Sequence, residues 1–136
     1  MKKVFVNGAF DVLHSGHLDM LDYAASLGNH LLVAIDTDTR IEYNKGVGRP
    51  FNLLSNRRHL MSMLKPVSGV SVFDTDEQLL DIIKAYKPDI MVKGSDWRGK
   101  KVIGEEYCKK VVFYERTNGQ STTKTIEDFI DRRQLL

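Results

Sequence analysis

A single cysteine, Cys108, occurs in the 136 residues. It has no partner for an internal disulfide, and zinc sites built on several cysteines are excluded with it. No apolar run approaches the ~18 residues that a membrane span needs. The first apolar stretch, Val4-Phe5-Val6, is three residues long and Asp11 follows soon after, so the start of the chain reads as a strand and not as a targeting segment. Neither sign of charge prevails: 20 Lys+Arg against 18 Asp+Glu leave a net +2, too little to wrap nucleic acid. Phosphate binding stays open, because it needs a few placed cations and not a basic surface. These absences point to a soluble protein of a reducing, cytoplasmic compartment with neither a membrane nor a nucleic-acid partner.

What is present suits one globular domain, residues 1–136, able to bury roughly two-thirds of its unfolded surface without staples. Hydrophobic residues make up 42% and charged residues 28%, which argues against disorder. Val4–Val6 predicts a first strand ending at Asn7-Gly8. Leu18, Leu21 and Ala25 recur at helical spacing from about Gly16 to Leu27, with Gly28-Asn29 as the stop. Leu31–Ile35 is continuously apolar, as a strand covered on both faces requires. Strand, helix and strand in so short a span make a βαβ unit.

Further along, Arg40–Pro50 is polar and punctuated by Gly46 and Gly48, and predicts a loop. Ser55 is a candidate cap for a helix reaching about Leu64. Val70–Phe73 predicts a strand, Asp76–Tyr86 a helix, and Ile90–Val92 and Val111–Tyr114 two more strands. A last helix is expected from about Thr122, presenting Ile126, Phe129 and Ile130. The alternation predicts an α/β fold, with an open, mostly parallel five-stranded sheet and helices on both faces. Ligands in such sheets sit beyond the carboxyl ends of the strands, where the strand order switches.

Gly8-Ala9-Phe10-Asp11-Val12-Leu13-His14-Ser15-Gly16-His17 occupies that position after the first strand. A helix start offers N–H groups and a positive dipole end to an anion. His14 and His17, three apart, can both donate ring N–H bonds to phosphoryl oxygens, and Gly16 between them permits close approach. Histidines on helices more often serve as satisfied core or surface residues. Asp11, His14 and His17 as metal ligands would lack a further Cys or Glu. The βαβ position favours phosphate. Gly94–Lys101 nearly matches a P-loop, but ends in Lys101 where Ser or Thr must hold magnesium. Arg116-Thr117-Asn118-Gly119-Gln120-Ser121-Thr122-Thr123 again joins a strand to a helix. Its hydroxyls and arginine exceed the needs of one cap, so a second phosphate cradle is expected there.

Gly-x-Phe-Asp-x-x-His-x-Gly-His with Arg-Thr-x-Gly-x-Ser-Thr-Thr about a hundred residues later resembles the cytidylyltransferase-like nucleotidyltransferases of the HxGH type, over about Val4–Arg132. The resemblance implies a Rossmann-like sheet and an enzyme that joins a nucleoside triphosphate to a phosphorylated small molecule, releasing pyrophosphate, with Mg2+ as cofactor and a homodimer as the common assembly. It implies catalytic roles for His14, His17, Lys45 and Arg116. Phosphate or nucleotide contacts fall to Gly8, Ala9, Phe10, Asp11, Gly16, Arg57, Lys93, Gly94, Asp96, Thr117, Ser121 and Thr122, and a magnesium-placing role to Asp11.

Trp97 after Asp96, and Arg116–Gly119, resemble glycerol-3-phosphate cytidylyltransferase, so CTP and a glycerol-3-phosphate-like acceptor are the first expectation. Lys93-Gly94-Ser95-Asp96, Arg49-Pro50-Phe51-Asn52 and Val102-Ile103-Gly104 are closer to the heptose-1-phosphate adenylyltransferase domain, which implies ATP and a sugar 1-phosphate. Ala9 and Ser95 depart from the residues usual at their positions, which would also suit a nucleotide-binding module without turnover.

Overall fold

The computed structural model describes residues 1–115 and Ile130. Five strands, β1 (Lys3–Gly8), β2 (His30–Asp36), β3 (Gly69–Phe73), β4 (Ile90–Gly94) and β5 (Lys110–Tyr114), form one sheet in the order β3-β2-β1-β4-β5. Every pairing is parallel. Among the described residues four α-helices connect or flank them: α1 (Ser15–Ser26), α2 (Asp38–Lys45), α3 (Leu54–Met63) and α4 (Asp76–Tyr86).

Side-chain alternation divides the core between the two faces of the sheet. Val4, Val6, Val33, Ile35, Ile90 and Val92 meet Leu21 and Ala24 of α1 and Met61 of α3. Phe5, Ala34, Phe73 and Met91 meet Leu79 and Ile83 of α4. Burying each large apolar side chain contributes about 1.5–3 kcal/mol, so helix spacing and strand alternation together select this packing. Gly28 serves more than to stop α1: a Cβ there would lie 2.5 Å from the Lys2 carbonyl oxygen, where the chain passes the start of β1.

Two local expectations are corrected. The predicted loop at 40–50 begins as helix α2. Thr37 caps it by accepting from the Arg40 N–H, and Gly46 ends it at φ +96°. Only Ile41 is buried in α2, so no apolar period announces the helix. Ser55 does not cap α3; the N-cap is Leu53, which makes no side-chain cap bond. The last predicted helix lies outside the described residues except Ile130, which is helical and exposed.

Candidate active site

The carboxyl ends of β1, β2 and β4 open onto a cavity of about 560 Å³. It sits where the chain order reverses, between β1 and β4, as expected for ligand sites in open α/β sheets.

The first helix approaches this cavity through an unusual cap. His14 Nδ1 accepts from the Gly16 N–H at 3.1 Å, and His17 Nδ1 accepts from the His14 N–H at 3.2 Å. This is a capping box made by two imidazoles in place of the usual hydroxyl and carboxylate. A ring nitrogen that accepts an N–H carries no proton, so each neutral ring holds its proton on Nε2. The rings stack with centroids 3.9 Å apart, and Phe10 packs 5.4 Å from His17. Two amide donors at the helix start, the His14 and Gly16 N–H groups, are thereby spent on imidazoles.

Cations surround the cavity. Arg40, Lys45, Lys93 and Lys101 line it, against one carboxylate, Asp36, among the described lining residues. Lys93 donates to Asn7 Oδ1 at 3.3 Å and lies 4.4 Å from the Trp97 ring centroid. Burial holds its ammonium below the ordinary lysine range, opposed by the charges of Asp36 and Asp96. Asp36 accepts from Arg40 Nε at 3.1 Å. Burial raises its carboxyl above the usual range, and Arg40 opposes that shift.

Of the residues singled out from sequence, Gly8, Ala9, Phe10, His14, Gly16, His17, Lys45, Lys93 and Gly94 meet at this cavity. Arg116, Thr117, Ser121 and Thr122 lie outside the described residues. Gly94–Lys101 forms a 3₁₀ turn at Ser95–Trp97, and does not open a long helix as a P-loop does. Asp96 is exposed on that turn, outside the cavity lining, and its charge acts on Lys93.

Asp11 and Arg57 stand apart from the cavity lining. Both are fully buried. Asp11 Oδ2 accepts from the Phe51 N–H at 2.7 Å and from Arg49 Nε at 3.1 Å, and Oδ1 accepts from the Asn52 N–H at 2.7 Å. Its charge pins the 49–52 segment and is committed there. Arg57 donates to the Asn52, Ala9 and Asp36 carbonyls at 2.9, 3.1 and 2.7 Å and to Asp38 Oδ1 at 2.8 Å. It ties the ends of β1 and β2 to α2 and to the start of α3, and so holds the cavity wall in place. Among the described residues no group of three or more His, Cys, Asp or Glu is placed to hold a metal ion.

Sequence reasoning passed over Asn7, Asp36, Arg40, Asn44 and Lys101, all of which line the cavity. Two carried a signal. Asn7 and Asp36 stand two residues beyond buried Phe5 and Ala34, as Lys93 stands beyond Met91, and so share their face at the strand ends. Arg40 and Asn44 were hidden because their helix reads as a loop.

A parallel sheet with a cation-lined cavity at its switch point, entered by a histidine-capped helix, defines a class of α/β proteins that hold phosphate-bearing ligands. A model of the family described as cytidylyltransferase-like matches residues 5–128. The chain belongs to that family and is a nucleotidyltransferase.

It is 45% identical over 126 residues to the bifunctional protein HldE of Helicobacter hepaticus, and 42% identical to that of Sulfurimonas denitrificans. Each match covers 93% of this chain and 26% of the relative, so the chain spans about a quarter of the length of these relatives. The crystal structure of the lipopolysaccharide core biosynthesis protein from Thermoplasma volcanium superposes with a TM-score of 0.69 at 25% identity, covering 88% of this chain and 99% of that one. Among the described residues no helix is long and apolar enough to cross a membrane.

Proposed function

We propose that the protein transfers the adenylyl group of ATP to the phosphate of a sugar 1-phosphate and releases pyrophosphate. The observation that carries the transfer chemistry is the cavity itself: two imidazoles fixed as Nε2 donors among four cations, with no Ser, Thr or Cys among its described lining residues. The adenylyl and sugar assignments draw support from the likeness to HldE proteins and to a lipopolysaccharide core biosynthesis protein, and from the motifs shared with the heptose-1-phosphate adenylyltransferase domain. They outweigh the glycerol-3-phosphate cytidylyltransferase features.

In this reading an oxygen of the acceptor phosphate attacks the α-phosphorus, the bond to the α–β bridging oxygen breaks, and pyrophosphate leaves. The attacking oxygen is already anionic, so no general base is needed. The protein's part is positioning and charge stabilisation. His14 and His17 donate to the α-phosphoryl oxygens as charge builds, and Lys45 and Lys93 neutralise the converging phosphates. Arg116, Thr117, Ser121 and Thr122 are assigned to the β- and γ-phosphates on their motif alone. Magnesium, which the resemblance implies, would neutralise charge on the triphosphate; no protein step depends on it here.

The test crosses ATP and CTP with a heptose 1-phosphate, other sugar 1-phosphates and glycerol 3-phosphate, detecting pyrophosphate together with the coupled product. The expected best pair is ATP with a sugar 1-phosphate. A preference for CTP with glycerol 3-phosphate would overturn the assignment. No pyrophosphate with any pair would mark a binding module.

A further inference from the structure

Asp36 is out of place in a cavity built for phosphates. It is the one carboxylate among the described lining residues, and its side chain is 15% exposed. Alternation along β2 places it beyond Ala34, on the same face as Asn7 of β1 and Lys93 of β4. Arg40 Nε occupies Oδ2, and no other side-chain bond to the carboxylate is formed among the described residues. Arg40 is itself held by Asp76 at 2.6 Å and lies 5.1 Å from the Phe73 ring centroid, so the pair is fixed in place.

Three kinds of ligand group could meet this carboxylate in the cavity. Phosphate is repelled. A divalent cation would meet the guanidinium of Arg40 and the ammonium of Lys93, whose charge already senses Asp36. A hydroxyl donor remains, and it is attracted most strongly by a charged acceptor. The two shoulders of the cavity differ in the same sense. Trp97, Lys93 and Tyr114 on the β4–β5 side offer flat aromatic surface and a cation, as a base and its phosphates require. Asp36 and Asn44 on the β2–α2 side offer hydrogen-bond acceptors beside the cations Arg40 and Lys45.

We propose that Asp36 is a specificity-determining residue for the acceptor, taking a hydrogen bond from one of its hydroxyls, so that the acceptor is a polyhydroxylated phosphate. The assignment rests on the nucleotidyl transfer proposed above. The nucleotide's ribose is the other source of hydroxyls, and the test separates the two.

Steady-state rates of pyrophosphate release are measured for the intact chain, Asp36→Ala and Asp36→Asn. The substrates are a heptose 1-phosphate and its monodeoxy analogues with ATP, and 2′- and 3′-deoxy-ATP with the parent acceptor. Asp36→Ala is expected to lower acceptor kcat/KM about 10- to 100-fold, the value of one hydrogen bond to a charged group, with the KM for ATP unchanged. One monodeoxy acceptor should impose the same loss on the unaltered protein, and the two losses should not multiply. If Asp36→Ala does not fold, Asp36→Asn, which retains a carbonyl, should show a smaller loss with the same non-additivity.

Losses that multiply for every deoxy acceptor would reduce Asp36 to a strut for Arg40. Non-additivity with a deoxy-ATP instead would assign it to the ribose. Either overturns the proposal while leaving nucleotidyl transfer standing. An unaltered protein that releases no pyrophosphate with any sugar phosphate fails earlier, and overturns the transfer reading together with this one.

Discussion

Arg57 offers the sharpest division between a ligand contact and a structural tie. Its resemblance-derived role is phosphate binding, yet the guanidinium is fully buried and donates to three carbonyls and Asp38. Arg57→Met keeps the volume and removes all four bonds. The Asp38 carboxylate is 39% exposed and regains water. The carbonyls of Ala9, Asp36 and Asn52 lose a donor inside the protein, at about 1–3 kcal/mol for each group left unpaired. Relaxation recovers part of this, and broken buried pairs typically cost about 3–5 kcal/mol. For a chain of this size that corresponds to a fall in Tm of about 10–20 °C. Thermal unfolding followed by circular dichroism, with nucleotide affinity measured well below the transition, reads both consequences. A Tm within about 2 °C of the parent, with nucleotide binding weakened, would refute the structural reading and restore Arg57 to the phosphate site.

Other predictions follow from the cap, the buried carboxylate and the sheet's amino end. His17→Gln keeps an acceptor for the His14 N–H but moves the Nε2 donor, so kcat should fall roughly 10²–10³-fold while Tm changes little; near-normal turnover would remove His17 from catalysis. Asp11→Asn sacrifices charge-assisted bonds to Arg49 and the 51–52 amides and should cost about 2–4 kcal/mol in urea unfolding. Its magnesium activation constant should match the parent's, and a large shift would return Asp11 to the metal. At the start of β1, the Lys3 N–H and Lys109 hold Asp89 below the usual carboxylate range. That contribution is fully present above the unfolded value of about 4 and is lost as pH falls through the lower folded value. Urea midpoints of the parent and Asp89→Asn should therefore differ by a constant amount from pH 5 to 8 and converge in acid; a gap independent of pH contradicts the assignment.

The amino-acid order alone determined the strands, the helices at 15–26 and 76–86, the parallel sheet and the approach of the HxGH segment to a strand end. Those features rest on local periodicity, caps and chain punctuation, which depend on neighbours in sequence. Helix α2 escaped that reading because one buried residue, Ile41, leaves no period to detect. Tertiary structure decided the rest. Arg57 and Asp11 sit in motifs that suggest ligands, but which polar group faces a substrate depends on where its hydrogen-bond partners lie, and theirs come from segments 38 to 41 residues away for Asp11 and up to 48 away for Arg57. Asp36 shows the converse: an unremarked residue at a strand end becomes the acid of a cationic cavity only once β1, β2 and β4 are laid side by side. Proximity between distant segments is a property of the folded sheet, and the charge balance of a site exists only after folding has brought its members together.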